Sequence, residues 1–390
     1  MSRSKSPETI AASNGVGADA AFHAVTPALY LSSTFAFEGF GREGQYAYTR
    51  QGNPTRDLLA DTLAKLEGGA GAVVTASGMA AIDLVLSQLG PDDLIVAPHD
   101  CYWGTYRLLA ARAAKSQFEV KFVDQGDEVA LSEALESAPS LLLIETPSNP
   151  LMRVVDIARL AKLAQAEGAK VLVDNTFLSP ALQRPIELGA DFVVHSTTKY
   201  LNGHSDVVGG AVVSADPADA AALVAWANVV GVAGAPFDAY LTLRGLRTLF
   251  PRVEQQQRNA SAIAAFLFDH PAVDAVHYPG LATHPGHAVA RRQQSGFGAM
   301  MSFELAGGVE AVRAFLGALK VFVLAESLGG VESLIAHPAT MTHAGMDAEA
   351  RAIAGIGDNL LRLSVGLEGE ADLLADLDRA LSAALAAQPA

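Results

Sequence analysis

Lys199 follows Ser196-Thr197-Thr198, and those hydroxyls follow an apolar run, Phe192–Val194. A lysine amine in such a setting is carbonyl-reactive and can hold an aldehyde as a Schiff base. Four other apolar runs end on groups of comparable use. The run ending at Thr75 leads to Ser77-Gly78-Met79, and the run ending at Ala97 leads to His99-Asp100-Cys101-Tyr102. Leu141–Ile144 leads to Glu145-Thr146-Pro147-Ser148-Asn149-Pro150, and Val171–Val173 ends at Asp174-Asn175-Thr176. In an open parallel sheet, ligands bind outside the carboxyl ends of the strands. Five strand ends carrying polar and aromatic groups therefore describe an active-site edge.

Taken singly, each group also fits an ordinary role. Ser77 suits a helix N-cap, Asp174 suits a turn, and lysine is usually a surface residue. Taken together they supply the parts of pyridoxal-phosphate (PLP) chemistry. Lys199 provides the amine, and Asp174 is a carboxylate for the ring nitrogen. Tyr102 is an aromatic to stack on the ring. Ser77, Gly78 and Met79 open a helix whose free N–H groups suit a phosphate, with Ser196 and Thr198 beside them. Competing motifs lack their context. Ser196–Lys199 matches S-x-x-K, but no S-D-N or K-T-G accompanies it. Gly15–Ala20 matches G-x-G-x-x-A without a preceding strand. His284/His287 and His337/His343 lack the spacing of a metal site with a third ligand, so no metal is expected.

These residues need a scaffold, and the chain is patterned for one. Strands are expected at Gly71–Thr75, Leu94–Ala97, Glu119–Val123, Leu141–Glu145, Lys170–Asp174, Asp191–His195 and Gly210–Ser214. Helical stretches fall between them at Met79–Leu89, Tyr106–Ala114, Glu128–Glu136 and Ile157–Glu167. Such alternation reads as βαβ units and a mostly parallel sheet, an α/β fold. The strands are apolar nearly throughout, as when both faces are covered. Residues 1–60 read as an N-terminal arm, 61–255 as a large cofactor-binding domain and 256–390 as a smaller α+β domain. The last has strand candidates at Ala299–Leu305, Val321–Leu324 and Leu361–Val365.

The chain carries 27 Lys and Arg against 42 Asp and Glu, a formal charge of −15. Nucleic acid and anionic membrane both require clustered cations, so neither is an expected partner. Cys101 is the one cysteine, which rules out an internal disulfide. No apolar run reaches the length of a membrane span, and the first residues lack a secretory pattern. The expected location is the cytoplasm.

The segment His195–Asp206 (HSTTKYLNGHSD) resembles the PLP-lysine signature of the Cys/Met-metabolism PLP-dependent enzymes. Tyr48–Arg56 (YTRQGNPTR), Glu145–Pro150, Val173–Phe177, Ala325–Ser333 (AESLGGVES), Met341–His343 and Arg362–Gly366 resemble further motifs of that family. The resemblance covers about Pro27 to Leu377. It is greatest to the family's cystathionine γ-synthase branch, through Ala97–Tyr102 and Phe177–Leu182. The family implies an aspartate-aminotransferase-like fold (PLP fold type I) and a homotetramer, a dimer of dimers with shared active sites. It implies that Tyr48 and Arg50 reach the phosphate of the neighbouring subunit's cofactor and that Asn149 contacts the ring hydroxyl. Lys199 and Tyr102 would be catalytic, and Arg362 would clamp the substrate α-carboxylate. Ser327 and Glu326 lie in a motif on the substrate side, and Glu326 favours the γ branch over β-lyases. Arg107 is a cation for the distal carboxylate of a succinyl ester. The implied reaction is γ-replacement: O-succinylhomoserine and cysteine give cystathionine and succinate. Ala47 and Gln51 stand where synthases commonly carry an acid and a second arginine, and Trp103 where relatives often have glycine. Cystathionine γ-lyase and O-acylhomoserine sulfhydrylase therefore stay as alternatives.

Overall fold

The structure is a computed structural model and describes residues 5–346 and 348–387. Seven strands form the larger sheet: β1 (Gly71–Thr75), β2 (Leu94–Pro98), β3 (Glu119–Val123), β4 (Leu141–Glu145), β5 (Lys170–Asp174), β6 (Phe192–Ser196) and β7 (Gly210–Ser214). Their spatial order is β1-β7-β6-β5-β4-β2-β3, and only β7 runs antiparallel to its neighbours. The sheet is thus mostly parallel, as the alternating pattern requires. Leu142, Leu172, Val173, Val193 and Val212 are fully buried, each contributing about 2 kcal/mol of hydrophobic stabilisation. Edge strand β3 shows the contrast, because its alternating Glu119 and Lys121 point to solvent.

Helices start where local chemistry allows. α1 (Pro7–Ser13) and α2 (Pro54–Glu67) both carry proline in the first turn. The Asn53 side chain caps α2 by accepting from the N–H groups of Thr55 and Arg56. Gly68, at φ 77°, ends it in the left-handed conformation that favours glycine. α2 runs across residue 60 and buries Leu59, Leu63 and Leu66 in the main core. Between α1 and α2 the chain is irregular and largely exposed. α3 (Gly78–Leu86) and α4 (Trp103–Ala113) follow β1 and β2 directly. α4 starts three residues earlier than its apolar period suggests, because Trp103 is helical in position without being core.

The helix Leu249–Phe268 buries Val253, Ala260, Ile263 and Leu267 and packs on the second sheet. That sheet comprises β8 (Val273–His277), β9 (Met300–Leu305), β10 (Val323–Leu324), β11 (Leu334–Ala336) and β12 (Leu360–Ser364), ordered β10-β11-β12-β9-β8. β8 and β11 have no counterpart in the sequence reading: VDAVH is short and half polar, and LIA is only three residues. Among the described residues no helix is long and apolar enough to cross a membrane.

One carboxylate ties the C-terminal helix (Glu370–Ala386) to the rest. Buried Asp376 accepts from the N–H groups of Lys320 (2.9 Å), Val321 (2.8 Å) and Phe322 (3.0 Å), and pairs with Arg379. Asp376→Ala removes a charged acceptor from three amides and should lower unfolding stability by about 2–3 kcal/mol. Urea denaturation checks this; an unchanged midpoint would show that water replaces the carboxylate.

Candidate active site

The site begins where three strands meet. β7 starts at Gly210, which pairs with both Thr75 at the end of β1 and Ser196 at the end of β6. A Cβ on Gly210 would lie 2.1 Å from the Ser77 carbonyl oxygen. Only glycine there lets the β1–α3 turn cross the sheet edge. Gly78 is similarly constrained, since its Cβ would meet Ser196 Cβ at 2.9 Å. Ser77 caps α3 by accepting from Ala80 N–H at 3.1 Å. The start of α3 therefore lies against Ser196, with Thr198 beside it and no acidic residue in the first turn. Free helix-start amides next to hydroxyls suit a phosphate.

This edge opens into a cavity of about 580 Å³, roomy enough for a small ligand. Asp174 and Glu145 reach it from β5 and β4. Tyr102 stands at the start of α4, and Lys199 follows β6. The other wall comes from the smaller sheet, through Arg362 on β12 and the loop residues Glu326 and Ser327.

Hydrogen bonds set the geometry. Lys199 Nζ donates to Ser327 Oγ at 2.7 Å. Arg362 Nη2 donates to the Ser327 carbonyl at 3.0 Å, and Nη1 to Asn149 Oδ1 at 2.8 Å. Ser327 is a non-glycine residue at φ 87°, a costly conformation of the sort that gathers at functional sites. Glu145 accepts from Tyr102 N–H at 2.7 Å and from Asn149 N–H at 3.2 Å, so one carboxylate orients both. Thr176 N–H donates to Asp174 Oδ1 at 2.9 Å, and Thr176 Oγ1 accepts from Ser196 N–H at 2.9 Å.

The charges are poised for a ligand. Burial, reinforced by Arg362 and opposed by Glu326, pulls the Lys199 amine down to about 8. Burial pushes Asp174 up, against hydrogen bonds from Thr176 and the charge of His195. Burial and the neighbouring Asp174 push Glu145 well up. Arg362 is drawn down to about 10 by burial. Its Nε has no hydrogen-bond partner, and it forms no ion pair among the described residues. A flat ring bearing a protonated nitrogen, an aldehyde and a phosphate would find Asp174, Lys199 and the α3 start at suitable places. A substrate carboxylate would complete Arg362. PLP fits these residues.

Of the residues expected from sequence, the cavity gathers Ser77, Gly78, Met79, Tyr102, Arg107, Asn149, Asp174, Ser196, Thr198, Lys199, Glu326, Ser327 and Arg362. Tyr48 and Arg50 lie elsewhere. Arg50 sits 5.9 Å over the Tyr48 ring and bonds both the backbone and side-chain oxygens of Asn228. Glu145, Thr176 and His195 received no role from sequence. Glu145 ends a wholly apolar strand, a signal as strong as that of Asp174; Thr176 and His195 fall within marked segments, but nothing local shows that they bond the Ser196 amide and Glu67.

A profile of the family described as Cys/Met metabolism PLP-dependent enzyme matches residues 8–382. Cystathionine γ-synthase of Escherichia coli K12 is 57% identical over 377 residues, which is 96% of this chain and 98% of that one. The crystal structure of cystathionine γ-synthase from Xanthomonas oryzae pv. oryzae, in complex with aminoacrylate and cysteine, is similar at TM-score 0.98 and 59% identity, covering 99% of this chain and 100% of that one. A cystathionine γ-lyase structure from Lactobacillus plantarum, complexed with L-serine, is similar at TM-score 0.94 and 41% identity, covering 98% and 100%.

The depressed amine yields a direct measurement on cofactor-stripped protein. Reductive methylation of Lys199, followed by mass spectrometry across pH, should reach half its limiting rate near pH 8. Exposed lysines titrate near about 10.4. A Lys199 profile matching theirs would show that the cavity does not desolvate the amine.

Proposed function

The chain belongs to the Cys/Met metabolism PLP-dependent enzymes, and we propose that it forms cystathionine by γ-replacement, joining cysteine to the four-carbon skeleton of O-succinylhomoserine with release of succinate. One observation carries the choice of donor. The cavity has two guanidiniums at different depths: Arg362, buried and without a counter-ion among the described residues, and Arg107, exposed at the rim. A donor with one carboxylate beside Cα and another at the far end of its ester matches both.

PLP, when bound, supplies an electron sink for carbanion chemistry. Lys199 would hold it covalently, Asp174 would serve its ring nitrogen, and Asn149 its ring hydroxyl. Ser77, Gly78, Met79, Ser196 and Thr198 would take its phosphate, and Tyr102 would stack on the ring. Arg362 grips the α-carboxylate as a planar fork, fixing the Cα–H bond toward Lys199. Lys199 Nζ, close to half neutral near pH 8, takes the proton from Cα and then one from Cβ. Tyr102 is placed to relay a proton, its backbone held by Glu145. The Cγ–O bond then breaks, the ester leaves as a carboxylate, cysteine gives up its thiol proton as its sulfur bonds to Cγ, and the protons taken from Cβ and Cα are returned to those carbons. Arg107 orients the departing tail, and positioning of that kind raises rate. Glu326, on the opposite wall from Arg107, is a carboxylate for an incoming ammonium group.

Assembly belongs to the same proposal. Tyr48 is half-exposed, and Phe22, Phe37 and Phe40 in the same irregular segment are exposed. Apolar surface of this kind marks an interface. We read it as the contact through which Tyr48 and Arg50 complete the neighbouring subunit's phosphate site in a homotetramer. A cytoplasmic setting fits a chain whose single cysteine, Cys101, is buried and free.

The reaction is tested by measuring kcat/KM for O-succinylhomoserine plus cysteine, O-acetylhomoserine plus sulfide, and cystathionine alone. Synthesis from the succinyl ester should be fastest. Arg107→Ala should lower kcat/KM for that ester about fivefold, as expected for an exposed charge pair, while leaving the acetyl ester unaffected. Faster cystathionine cleavage, or an indifferent Arg107→Ala enzyme, would refute the assignment.

Shared sites are tested by mixing. Arg50→Ala and Lys199→Ala proteins should each be nearly inactive. Random re-pairing gives half mixed dimers with one intact site in two, so about a quarter of wild-type activity should return. No recovery despite demonstrated subunit exchange means that Arg50 serves its own subunit.

A further inference from the structure

Behind Asp174, on the α2 side of the sheet, lies a buried acid–imidazole pair. His195 Nε2 is 2.6 Å from Glu67 Oε1, and both side chains are wholly buried. Glu67 Oε1 also accepts from Asn175 Nδ2 at 3.0 Å, while Glu67 Oε2 and His195 Nδ1 have no hydrogen-bond partner. The surroundings are otherwise neutral amides. Asn175 Nδ2 donates to the Gln183 carbonyl, and Gln183 Nε2 to Asn175 Oδ1 and the Thr146 carbonyl. A carboxylate buried among amides carries a large desolvation cost unless a cation faces it. Among the described residues, His195 is the titratable group that meets the Glu67 carboxylate, while Arg184 nearby bonds the Leu66 carbonyl and pairs with Glu187.

His195 also lines the cavity, and it follows Val194, the residue paired with Asp174 in the sheet register. Burial disfavours ionised Asp174, whereas a positive charge on His195 would favour it. On the other side of Asp174, Glu145 is a second buried carboxyl, and Cys101 is a thiol that burial and the carboxylates of Glu145, Asp100 and Asp174 keep protonated. Among the described residues, His195 is the one group whose positive charge would hold Asp174 ionised.

We propose that Glu67 holds His195 as an imidazolium, and that this cation keeps Asp174 ionised to receive the protonated ring nitrogen of PLP. Glu67 and His195 are positioning residues: they act through Asp174 and touch neither substrate nor reacting atoms. The inference rests on the reading of Asp174 as the ring-nitrogen partner. The sign follows from linkage. A cation near a carboxylate lowers its pKa, so ring-nitrogen binding persists to lower pH. Removing the cation moves the acid-side loss of binding upward.

The test measures cofactor binding, with no turnover involved. Stripped wild-type, Glu67→Gln, His195→Gln and Asp174→Asn proteins are titrated with PLP across pH, and Kd is read by absorbance. In both dyad variants the acid-side rise in Kd should move up by about one pH unit or more. Asp174→Asn should bind weakly at every pH and lack that step. Nitrogen-15 histidine spectra of stripped wild-type protein should show both His195 ring nitrogens protonated at pH 7, a readout that no variant's folding can disturb. A neutral His195, or dyad variants with the wild-type profile beside a weakened Asp174→Asn, overturns this inference alone. An Asp174→Asn protein that binds PLP as wild type does overturns the Asp174 reading, and the inference with it.

Discussion

Arg362 is a buried charge that no protein ion pair neutralises among the described residues, and the site is organised around keeping it so. A lone buried charge costs several kcal/mol after relaxation. Such a cost persists where a ligand removes it, because the same desolvation makes the incoming counter-charge bind more strongly. The hydrogen bonds that Arg362 does make, to Asn149 Oδ1 and the Ser327 carbonyl, go to neutral acceptors. They orient the guanidinium without discharging it. Asp174 is oriented by the Thr176 N–H, which fixes one of its oxygens.

Holding an unpaired ion requires a stiff frame, and the frame is the sheet edge. β7 is antiparallel between β1 and β6, so its first residue falls beside both of their ends. That topology brings the α3 start against Ser196 and Lys199 against the same opening. The arrangement depends on Gly210 and Gly78, where any side chain would strike the Ser77 backbone or Ser196. The second sheet closes the cavity through a few specific links. Ser302 Oγ donates to the Pro150 carbonyl at 2.7 Å, and Arg153 bridges Asp100 and the Ala354 carbonyl. The cavity thus falls at the seam between the sheets, with Arg362 and Ser327 from one and Asn149, Lys199 and Asp174 from the other.

The layers behind the cavity are as ordered as its surface. Glu145 sets Tyr102 and Asn149 through their backbone amides. Glu67, Asn175 and Gln183 form a continuous network linking α2 to the β5 end. Because these groups are buried and mutually bonded, displacement of one is felt by the others. The precision of the site therefore extends well beyond the side chains that meet a ligand.

Sequence alone determined the parallel sheet and thirteen of the cavity's residues. Strands covered on both faces must be apolar throughout, so their polar ends stand out, and a family's motifs mark the loops that follow. It did not determine β8 and β11, whose short or mixed segments carry no periodic signal and are stabilised by pairing with β9 and β12. Nor did it assign His195 or Thr176, because their partners, Glu67 and the Ser196 amide, lie 128 and 20 residues away. Tyr48 and Arg50 mark the other limit: their motif is plain in sequence, yet the fold of one chain leaves them outside its own cavity. Local composition decides which residues are buried, because burial follows from apolar pattern. Which buried charge faces which depends on distances across the fold, and those only the tertiary structure sets.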